Sequence, residues 1–365
     1  MRIEESLLRP HANNLTLVRL VLASSVIYTH CYWALTGRMG EDDLSAFLGA
    51  PISVYAVDGF FFLSGFLVFA SLQRSARVGD FLLARVARLW PALAVSVGLT
   101  VLAGYCFTND PPGYFDGATL EFITDNLSFK TAGYHLTGVM CDGSPCTING
   151  SLWTLPWEAR FYLVLGALAM LGLTNDRAMI WFVLPVTVVG AIMWNISAGR
   201  SAIIALLGTD WAYSANMTDR LWPLFALGAA AYIFRSRIRL SWAMLALLFI
   251  INVVAHQWGV GLHVRAIFIG YALLCFGLLT VGKRAVAGSW PDYSYGMYIY
   301  AFPVMIGLRH WLNWESHFML AAATALATFP LAAFSWHYVE KPVLDAFQLY
   351  RKRRRERLSP VRSAA

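Results

Sequence analysis

Residues 51–72 read PISVYAVDGFFFLSGFLVFASL, an apolar run that contains a single charged residue, Asp58. A helix needs about 20 mostly apolar residues to cross the hydrocarbon core of a bilayer, so this run is long enough to span a membrane. Within it, Gly59 and Gly65 are expected to let other helices approach closely. Runs of the same kind recur at residues 15–34, 89–107, 152–173, 178–196, 220–234, 240–257, 262–281, 294–311 and 317–338. The sequence therefore predicts an all-α protein, a polytopic transmembrane helical bundle with about ten spans.

The composition also indicates that lipid is the main solvent of this chain. Of the 365 residues, 58% are hydrophobic and only 13% are charged, and the mean hydropathy is +0.56. Soluble domains carry about 25% charged residues, because polar groups must coat their surfaces. The first apolar run contains Arg19 and His30 and is followed by many others, so a cleaved signal peptide is not expected.

The charged residues between the predicted spans set the expected orientation. Basic residues concentrate in segments 73–88, 235–239 and 282–293 and in the tail segment 351–355, whereas segment 35–50 is acidic. In a bundle of about ten helices, the basic segments and both termini fall on one side, which the positive-inside rule identifies as the cytoplasm. We therefore predict a multi-pass protein of the cytoplasmic (inner) membrane with both termini in the cytoplasm.

The chain is expected to consist of a transmembrane domain, residues 1–345, and a basic cytoplasmic tail, residues 346–365. Its formal net charge is +7. In a membrane protein, an excess of Lys and Arg near the surface attracts anionic lipid headgroups. We expect these lipids, and not nucleic acid, as the partners of the basic surface.

Two of the five cysteines are expected to form a disulfide. Cys141 and Cys146 bracket a turn-like segment in the connection 108–151, which the predicted orientation puts outside the cytoplasm. Disulfides persist in such oxidising surroundings, and the intervening Gly and Pro let the two residues come within bridging distance. The spacing of the cysteines predicts no metal site. The remaining cysteines are expected to be packing residues in or beside apolar runs: Cys31, Cys106 and Cys275.

Arg19 and His30 are ionisable residues inside the first predicted span. A charged side chain at such a depth costs about 3 kcal/mol or more, so each residue is a functional candidate. Their separation is close to three helical turns, so both side chains are expected on one face, about 16 Å apart along the helix axis. Arg19 could instead snorkel to the headgroups, and His30 could be a buried, hydrogen-bonded histidine. A neutral imidazole is also a suitable general base for a hydroxyl near pH 7.

Two further clusters lie at the ends of predicted spans. Arg85 and Arg88 are i,i+3 neighbours at the cytoplasmic boundary, where a pair of guanidinium groups suits phosphates but also serves as a membrane anchor. Glu158 follows Trp153 at the start of another span. It could be an interfacial carboxylate that pairs with an arginine, a catalytic acid or base, or the group that orients His30.

Taken together and in this order, these residues resemble the acyltransferase-3 family of bacterial membrane acyltransferases, which includes the O-antigen acetylases. The resemblance covers the chain from about residue 13 to 343. The matching marks are Arg19-x10-His30, the run 58–67 (DGFFFLSGFL), Arg85-x2-Arg88, the run 151–155 (SLWTL) followed by Glu158, the run 294–298 (SYGMY) and the run 338–342 (YVEKP).

The resemblance implies transfer of an acyl group, commonly acetyl from acetyl-coenzyme A, to a hydroxyl of a glycan or lipid-linked sugar. Acetyl-coenzyme A is then a co-substrate, a carbohydrate is the acceptor, and no bound cofactor is expected. Such a reaction modifies polysaccharides of the bacterial cell envelope.

The same resemblance suggests a role for each marked residue. Arg85 and Arg88 would hold the phosphates of the donor, and Arg19 would polarise the thioester carbonyl. His30 would act as the base for the acceptor hydroxyl or as a transient acyl carrier, and Glu158 would orient or charge-balance its imidazole. The further residues expected to bind substrate are Asp58, Ser64 and Trp153.

A membrane transporter or flippase is the main alternative, because such proteins also place His, Arg and Glu within their spans. Transporters often contain repeated halves with matching broken helices, and no such pairing is evident in this sequence. A non-catalytic membrane scaffold would not need Arg19 and His30 on one helix face. The sequence therefore favours the enzyme.

Overall fold

The computed structural model of the protein describes residues 3, 12–141, 143–257, 261–279 and 290–358. Lys283 and Arg284, the basic residues of segment 282–293, lie outside the described residues, as do residues 359–365 of the predicted tail. Within the described ranges the chain is mostly helical, with one short β-hairpin. The predicted all-α class is confirmed.

The helices and strands follow one another along the chain with short connections. The α-helices of the described ranges are α1 (Leu15–Thr36), α2 (Ser45–Leu48), α3 (Ile52–Gln73), α4 (Val78–Tyr105), α5 (Ala118–Ser128), α6 (Leu155–Met170), α7 (Asp176–Ala178), α8 (Leu184–Asn195), α9 (Ser197–Leu207), α10 (Ala212–Ile233), α11 (Trp242–Gln257), α12 (Gly261–Leu274), α13 (Ser294–Trp311), α14 (His317–Ser335) and α15 (Lys341–Leu358). Short π-helical or 3₁₀ segments occur at Gly150–Thr154, Met179–Val183, Thr209–Trp211, Cys275–Leu279 and Trp336–Glu340. The hairpin consists of β1 (Met140–Cys141) and β2 (Ser144–Pro145), which pair antiparallel.

Several helices are long and apolar enough to cross a membrane. Among the described residues there are five, at Leu15–Thr36, Ile52–Gln73, Val78–Tyr105, Asp176–Asn195 and His317–Arg354. Shorter apolar helices cover Trp242–His256 and Val264–Leu279. The other predicted spans correspond to helices that are shorter or more polar, such as α6 and α10. The count of about ten spans and the side of each terminus stay predictions.

The predicted topology can be checked with reporter fusions. A reporter fused after residue 130 should lie outside the cytoplasm, and one fused after residue 350 should lie inside, because the basic segments favour the cytoplasmic side. Paired reporters that are active in opposite compartments measure this directly. Should both fusions report the same side, the number of spans between them differs from the prediction by an odd number.

The chain folds into two compact units. The first unit comprises Met1–Arg74 and Arg160–Pro291, and the second comprises Ser75–Ala159 and Asp292–Ala365. Each unit is therefore assembled from segments that are far apart in sequence. The predicted tail begins inside α15, which belongs to the second unit.

The core of the first unit is the contact between α3 and α10. A Cβ atom added to Gly65 would overlap the carbonyl oxygen of Phe225, and one added to Gly228 would overlap the carbonyl oxygen of Phe62. Gly59 similarly lies against Leu22 and Leu273 side chains on α1 and α12. Small residues allow such close approach of helices in a membrane. The prediction for Gly59 and Gly65 is confirmed.

The second unit is built around α4, α13 and α14. Gly296 lets α13 and α14 meet closely, since a Cβ atom there would lie 2.8 Å from the Cα of Ala332. Pro91 lies inside α4, and the hydroxyl of Tyr295 on α13 donates a hydrogen bond to the carbonyl of Leu89 (2.9 Å). Interior prolines are tolerated in membrane helices when neighbours re-satisfy the freed backbone groups.

The connection between α4 and α6 forms an ordered layer against the end of α4. The hydroxyl of Tyr114 is buried and donates a hydrogen bond to the carbonyl of Val101 (2.6 Å). This burial raises the pKa of Tyr114 to about 12. The structure joins Cys141 and Cys146 by a disulfide across the hairpin, with 4.8 Å between their Cα atoms.

The thiol content of the protein provides a direct check of this disulfide. Cys31, Cys106 and Cys275 are free thiols. Alkylation of the unreduced, denatured protein should therefore modify those three, and reduction beforehand should expose all five cysteines to the reagent. Intact-protein mass spectrometry counts the added groups. Five added groups without reduction would exclude the Cys141–Cys146 bond.

Candidate active site

Helix α1 carries Arg19 and His30 in one uninterrupted stretch, and it ends at Gly37, which adopts a left-handed conformation (φ 68°). Because the helix is continuous, the two side chains lie about three turns apart on the same side, as the spacing predicts. Both residues are half-buried. The imidazole of His30 lies near the indole of Trp33, with 5.3 Å between the ring centroids.

A buried carboxylate fixes the end of α1 beside His30. Asp42 is only 4% exposed, and its Oδ2 accepts hydrogen bonds from the Thr29 hydroxyl (2.8 Å) and the Ile52 backbone N–H (2.7 Å). The Ser53 N–H donates to the Thr29 hydroxyl oxygen (3.2 Å), which ties α1 to the start of α3. An anionic group at a helix N-terminus is favoured by the helix dipole. The sequence analysis used the acidic segment 35–50 only as a marker of orientation and missed this role.

Asp58 on α3 belongs to a buried ion pair. Its carboxylate Oδ2 accepts a hydrogen bond from the Nε of Arg265 on α12 (3.0 Å), and the guanidinium lies 5.4 Å from the centre of the Tyr55 ring. The other oxygen, Oδ1, is buried and has no hydrogen-bond partner among the described residues. The sequence analysis missed Arg265, although an arginine inside the apolar run 262–281 is the same signal that identified Arg19.

Ser64 lies on α3 beyond Asp58, on the part of the helix that meets α6. Its hydroxyl is 3.3 Å from the hydroxyl of Tyr162. Either oxygen can donate to the other, so the pair forms a polar contact in an otherwise apolar interface. The neighbouring Phe61 and Phe161 rings make an edge contact with 5.7 Å between centroids.

Arg88 on α4 is surrounded by two carboxylates. Its Nη2 donates to Asp292 Oδ2 (2.5 Å) and its Nη1 donates to Glu340 Oε2 (2.6 Å). The Ser294 hydroxyl donates to Asp292 (2.6 Å), and the Ser335 hydroxyl donates to Glu340 (3.2 Å). Arg85 lies one turn earlier on α4 and is half-buried. The sequence analysis quoted Glu340 only within a motif and gave Asp292 no role.

Glu158 stands in the first turn of α6, directly after the 3₁₀ turn Gly150–Thr154. The Asn149 side chain accepts a hydrogen bond from the Ser151 N–H (3.2 Å) and donates one to the carbonyl of Ile299 (2.8 Å). The hydroxyls of Thr154 and Tyr298 are 2.9 Å apart. These contacts hold the turn that precedes Glu158 against α13. An acidic residue in the first turn of a helix is also stabilised by the helix dipole.

The comparison with known families identifies the chain. A family model described as "Acyltransferase domain" matches residues 13–337, which include every marked residue of α1, α3, α4 and α6. The chain belongs to the acyltransferase-3 family. It is an acyltransferase and a multi-pass membrane protein.

Relatives of this acyltransferase-3 protein match along most of its length. It is 30% identical to a protein named O-acetyl transferase from Shigella phage Sf6, over 89% of this chain and 94% of that protein. It is 27% identical to Nodulation protein 10 from Rhizobium leguminosarum bv. viciae, over 92% of this chain and 94% of that protein. No solved structure matches the chain.

The candidate residues of this acyltransferase divide between the two units. The candidates of the first unit are Arg19, His30, Asp58 and Ser64. The candidates of the second unit are Arg85, Arg88, Trp153, Glu158 and the cysteines Cys141 and Cys146. The structure thus links Asp58 to Arg265 and Arg88 to Asp292 and Glu340. The predicted pairing of His30 with Glu158 joins residues of different units and stays a prediction.

Proposed function

We propose that this enzyme transfers an acetyl group from acetyl-coenzyme A to a hydroxyl of a glycan or lipid-linked sugar, in the cytoplasmic (inner) membrane of a bacterium. The observation that carries the proposal is the match to the phage O-acetyl transferase over 89% of the chain. The placement of Arg19 and His30 on one side of α1 supports it, because acyl transfer to a hydroxyl requires a base and a group that stabilises an oxyanion.

In the proposed reaction, His30 Nδ1 or Nε2 accepts the proton of the acceptor hydroxyl as its oxygen attacks the thioester carbonyl carbon. The tetrahedral intermediate carries a negative charge on the former carbonyl oxygen, which the Arg19 guanidinium stabilises. Collapse of this intermediate breaks the carbon–sulfur bond, and the departing thiolate takes the proton from the His30 imidazolium. A variant of this scheme uses His30 as a transient acyl carrier. Glu158 orients or charge-balances the imidazole.

The remaining candidate residues are proposed to bind substrates. Arg85 lies near the predicted cytoplasmic end of α4, where it would contact the phosphates of the donor. The buried Oδ1 of Asp58 is an acceptor for a hydroxyl of the sugar. The hydroxyl of Ser64 and the indole of Trp153 are proposed to complete the acceptor site. The basic residues of α15 would contact anionic lipids.

Two measurements test the proposed function. The purified enzyme in detergent should release free coenzyme A thiol from acetyl-coenzyme A slowly on its own and faster with a suitable glycan. Mass spectrometry of cell-envelope glycans with and without the gene should show the loss of an acetyl increment. A transporter or flippase would release no thiol, so a protein that leaves acetyl-coenzyme A intact under all these conditions contradicts the proposal.

A further inference from the structure

Arg88 occupies a closed polar network within the second unit. Its two terminal nitrogens donate to Asp292 and Glu340, which are 8% and 1% exposed. Each carboxylate places its second oxygen on a serine hydroxyl, so all four carboxylate oxygens are hydrogen-bonded. The Ser335 hydroxyl oxygen lies in turn 3.2 Å from the Tyr300 hydroxyl. A fully satisfied buried network of this kind is rigid.

Aromatic rings enclose the same guanidinium. The centre of the Tyr295 ring lies 5.4 Å from the guanidinium carbon and that of the Trp336 ring lies 5.6 Å from it, both within the range of cation–π attraction. Trp336 and Glu340 begin and end a π-helical turn that separates α14 from α15. Such turns are rare and frequently lie at functional sites. The turn brings both an aromatic ring and a carboxylate to Arg88.

These surroundings are unfavourable for a phosphate. A phosphate bound to Arg88 would have to displace one of two carboxylates from the terminal nitrogens and would stay beside both. Like charges at such short distances repel strongly where water is excluded. Displacement would also leave a buried carboxylate without its cation, which is strongly destabilising. Arg85, one turn earlier on α4, has neither of these carboxylates among its printed ion pairs and is the better candidate for the donor.

The network is connected to the turn that carries Glu158 through the first two turns of α13. Tyr295 lies against Arg88 and is close enough to Glu158 and Glu340 for electrostatic interaction. Two residues of α13 that follow, Tyr298 and Ile299, hold the 3₁₀ turn before Glu158. A shift of α13 would therefore move Glu158.

We infer that Arg88, Asp292 and Glu340 form a positioning centre, which fixes α13 and through it Glu158, and that Arg88 does not bind the donor phosphates. This inference rests on the proposed acetyl transfer, and it divides the Arg85-x2-Arg88 motif between two tasks. Arg85 contacts the donor and raises its affinity. Arg88 sets the geometry in which the bound donor reacts.

The test compares two donors, acetyl-coenzyme A and acetyl-pantetheine, which lacks the nucleotide phosphates. For Arg88→Gln, Asp292→Asn and Glu340→Gln, kcat per folded molecule should fall about 10- to 100-fold, because displacement of a catalytic group by about 1 Å costs this much. KM for acetyl-coenzyme A should change by no more than about twofold, and the preference for acetyl-coenzyme A should be retained. For Arg85→Gln, KM should rise and the preference should fall about tenfold or more, because a charge-assisted hydrogen bond is lost.

Asp80→Asn is the matched control. It removes the other carboxylate that pairs with an arginine on α4, through the contact between Asp80 and Arg354 (2.8 Å), and it should leave kcat, KM and donor preference unchanged. If Arg88→Gln does not yield folded protein, the nearly isosteric Asp292→Asn and Glu340→Gln decide by the same criteria.

Two results would overturn the inference. A loss of donor preference in Arg88→Gln as large as that in Arg85→Gln would make Arg88 a phosphate ligand. Normal kcat and KM per folded molecule in all three variants would make the network purely structural. A wild-type enzyme that leaves both donors intact would contradict the proposed function itself, so the two failures are distinguishable.

Discussion

His30→Gln should lower acetyl transfer by about 10²–10⁴-fold and leave the protein folded, because glutamine keeps a similar volume and one hydrogen bond but cannot accept a proton. His30 is half-buried on a continuous helix, and its neighbour Thr29 is held by the buried Asp42. The substitution therefore removes the base without disturbing the contacts that position α1. The rate of thiol release from acetyl-coenzyme A, normalised to monodisperse protein, measures the effect.

His310→Gln is the control for this experiment. His310 is an exposed residue in the last turn of α13, where its ring contacts that of Phe107 (5.3 Å between centroids). This variant should retain wild-type activity, which separates the loss of an imidazole at His30 from a general sensitivity to such exchanges. A folded His30→Gln protein with near-normal transfer would remove His30 from the mechanism and leave Glu158 as the candidate base.

Arg19→Lys separates an anchor from a clamp at the other end of the same helix face. A lysine keeps the positive charge and can reach the headgroups, so a merely anchoring residue would tolerate the exchange. A guanidinium that contacts a carbonyl oxygen through a fixed pair of N–H groups would not. We expect strongly reduced kcat with normal insertion, and unchanged kcat would assign Arg19 to anchoring.

Gly65→Ala should destabilise the first unit by about 1–3 kcal/mol or more, because overpacking forces the backbone of two helices apart. A Cβ atom at Gly65 overlaps a backbone carbonyl oxygen of α10, which cannot rotate away as a flexible side chain would. The midpoint of thermal unfolding in detergent should fall, and the yield of folded protein should fall with it.

Gly190→Ala tests whether the packing, and not the loss of a glycine as such, is responsible. Gly190 lies in α8 with open space where a Cβ atom would stand. An alanine in a helix is favoured over glycine by up to about 1 kcal/mol, so this variant should be as stable as the wild type or slightly more so. Equal thermal midpoints for Gly65→Ala and the wild type would contradict the close packing of α3 on α10.

The helical class, the membrane environment and the shared face of Arg19 and His30 follow from the sequence alone. Each is a local property: the length of an apolar run decides whether it can span a bilayer, and the helical repeat decides which side chains align. The motifs also identify the acyltransferase-3 family, and a family model that matches residues 13–337 confirms that membership. The rule that selected Arg19 would have selected Arg265, had it been applied to every apolar run.

The partners of the buried charges were decided only by the tertiary structure. Asp58 meets Arg265 at a sequence separation of 207, and Arg88 meets Asp292 and Glu340 at separations of 204 and 252. A sequence shows that a charge inside an apolar run is costly to bury, but it does not show which opposite charge offsets that cost. That choice depends on which helices become neighbours, and here α4 meets α13 and α3 meets α12 across long stretches of chain. Packing of the helix surfaces, which no local pattern encodes, therefore determines whether an arginine faces a carboxylate or is left to bind a substrate.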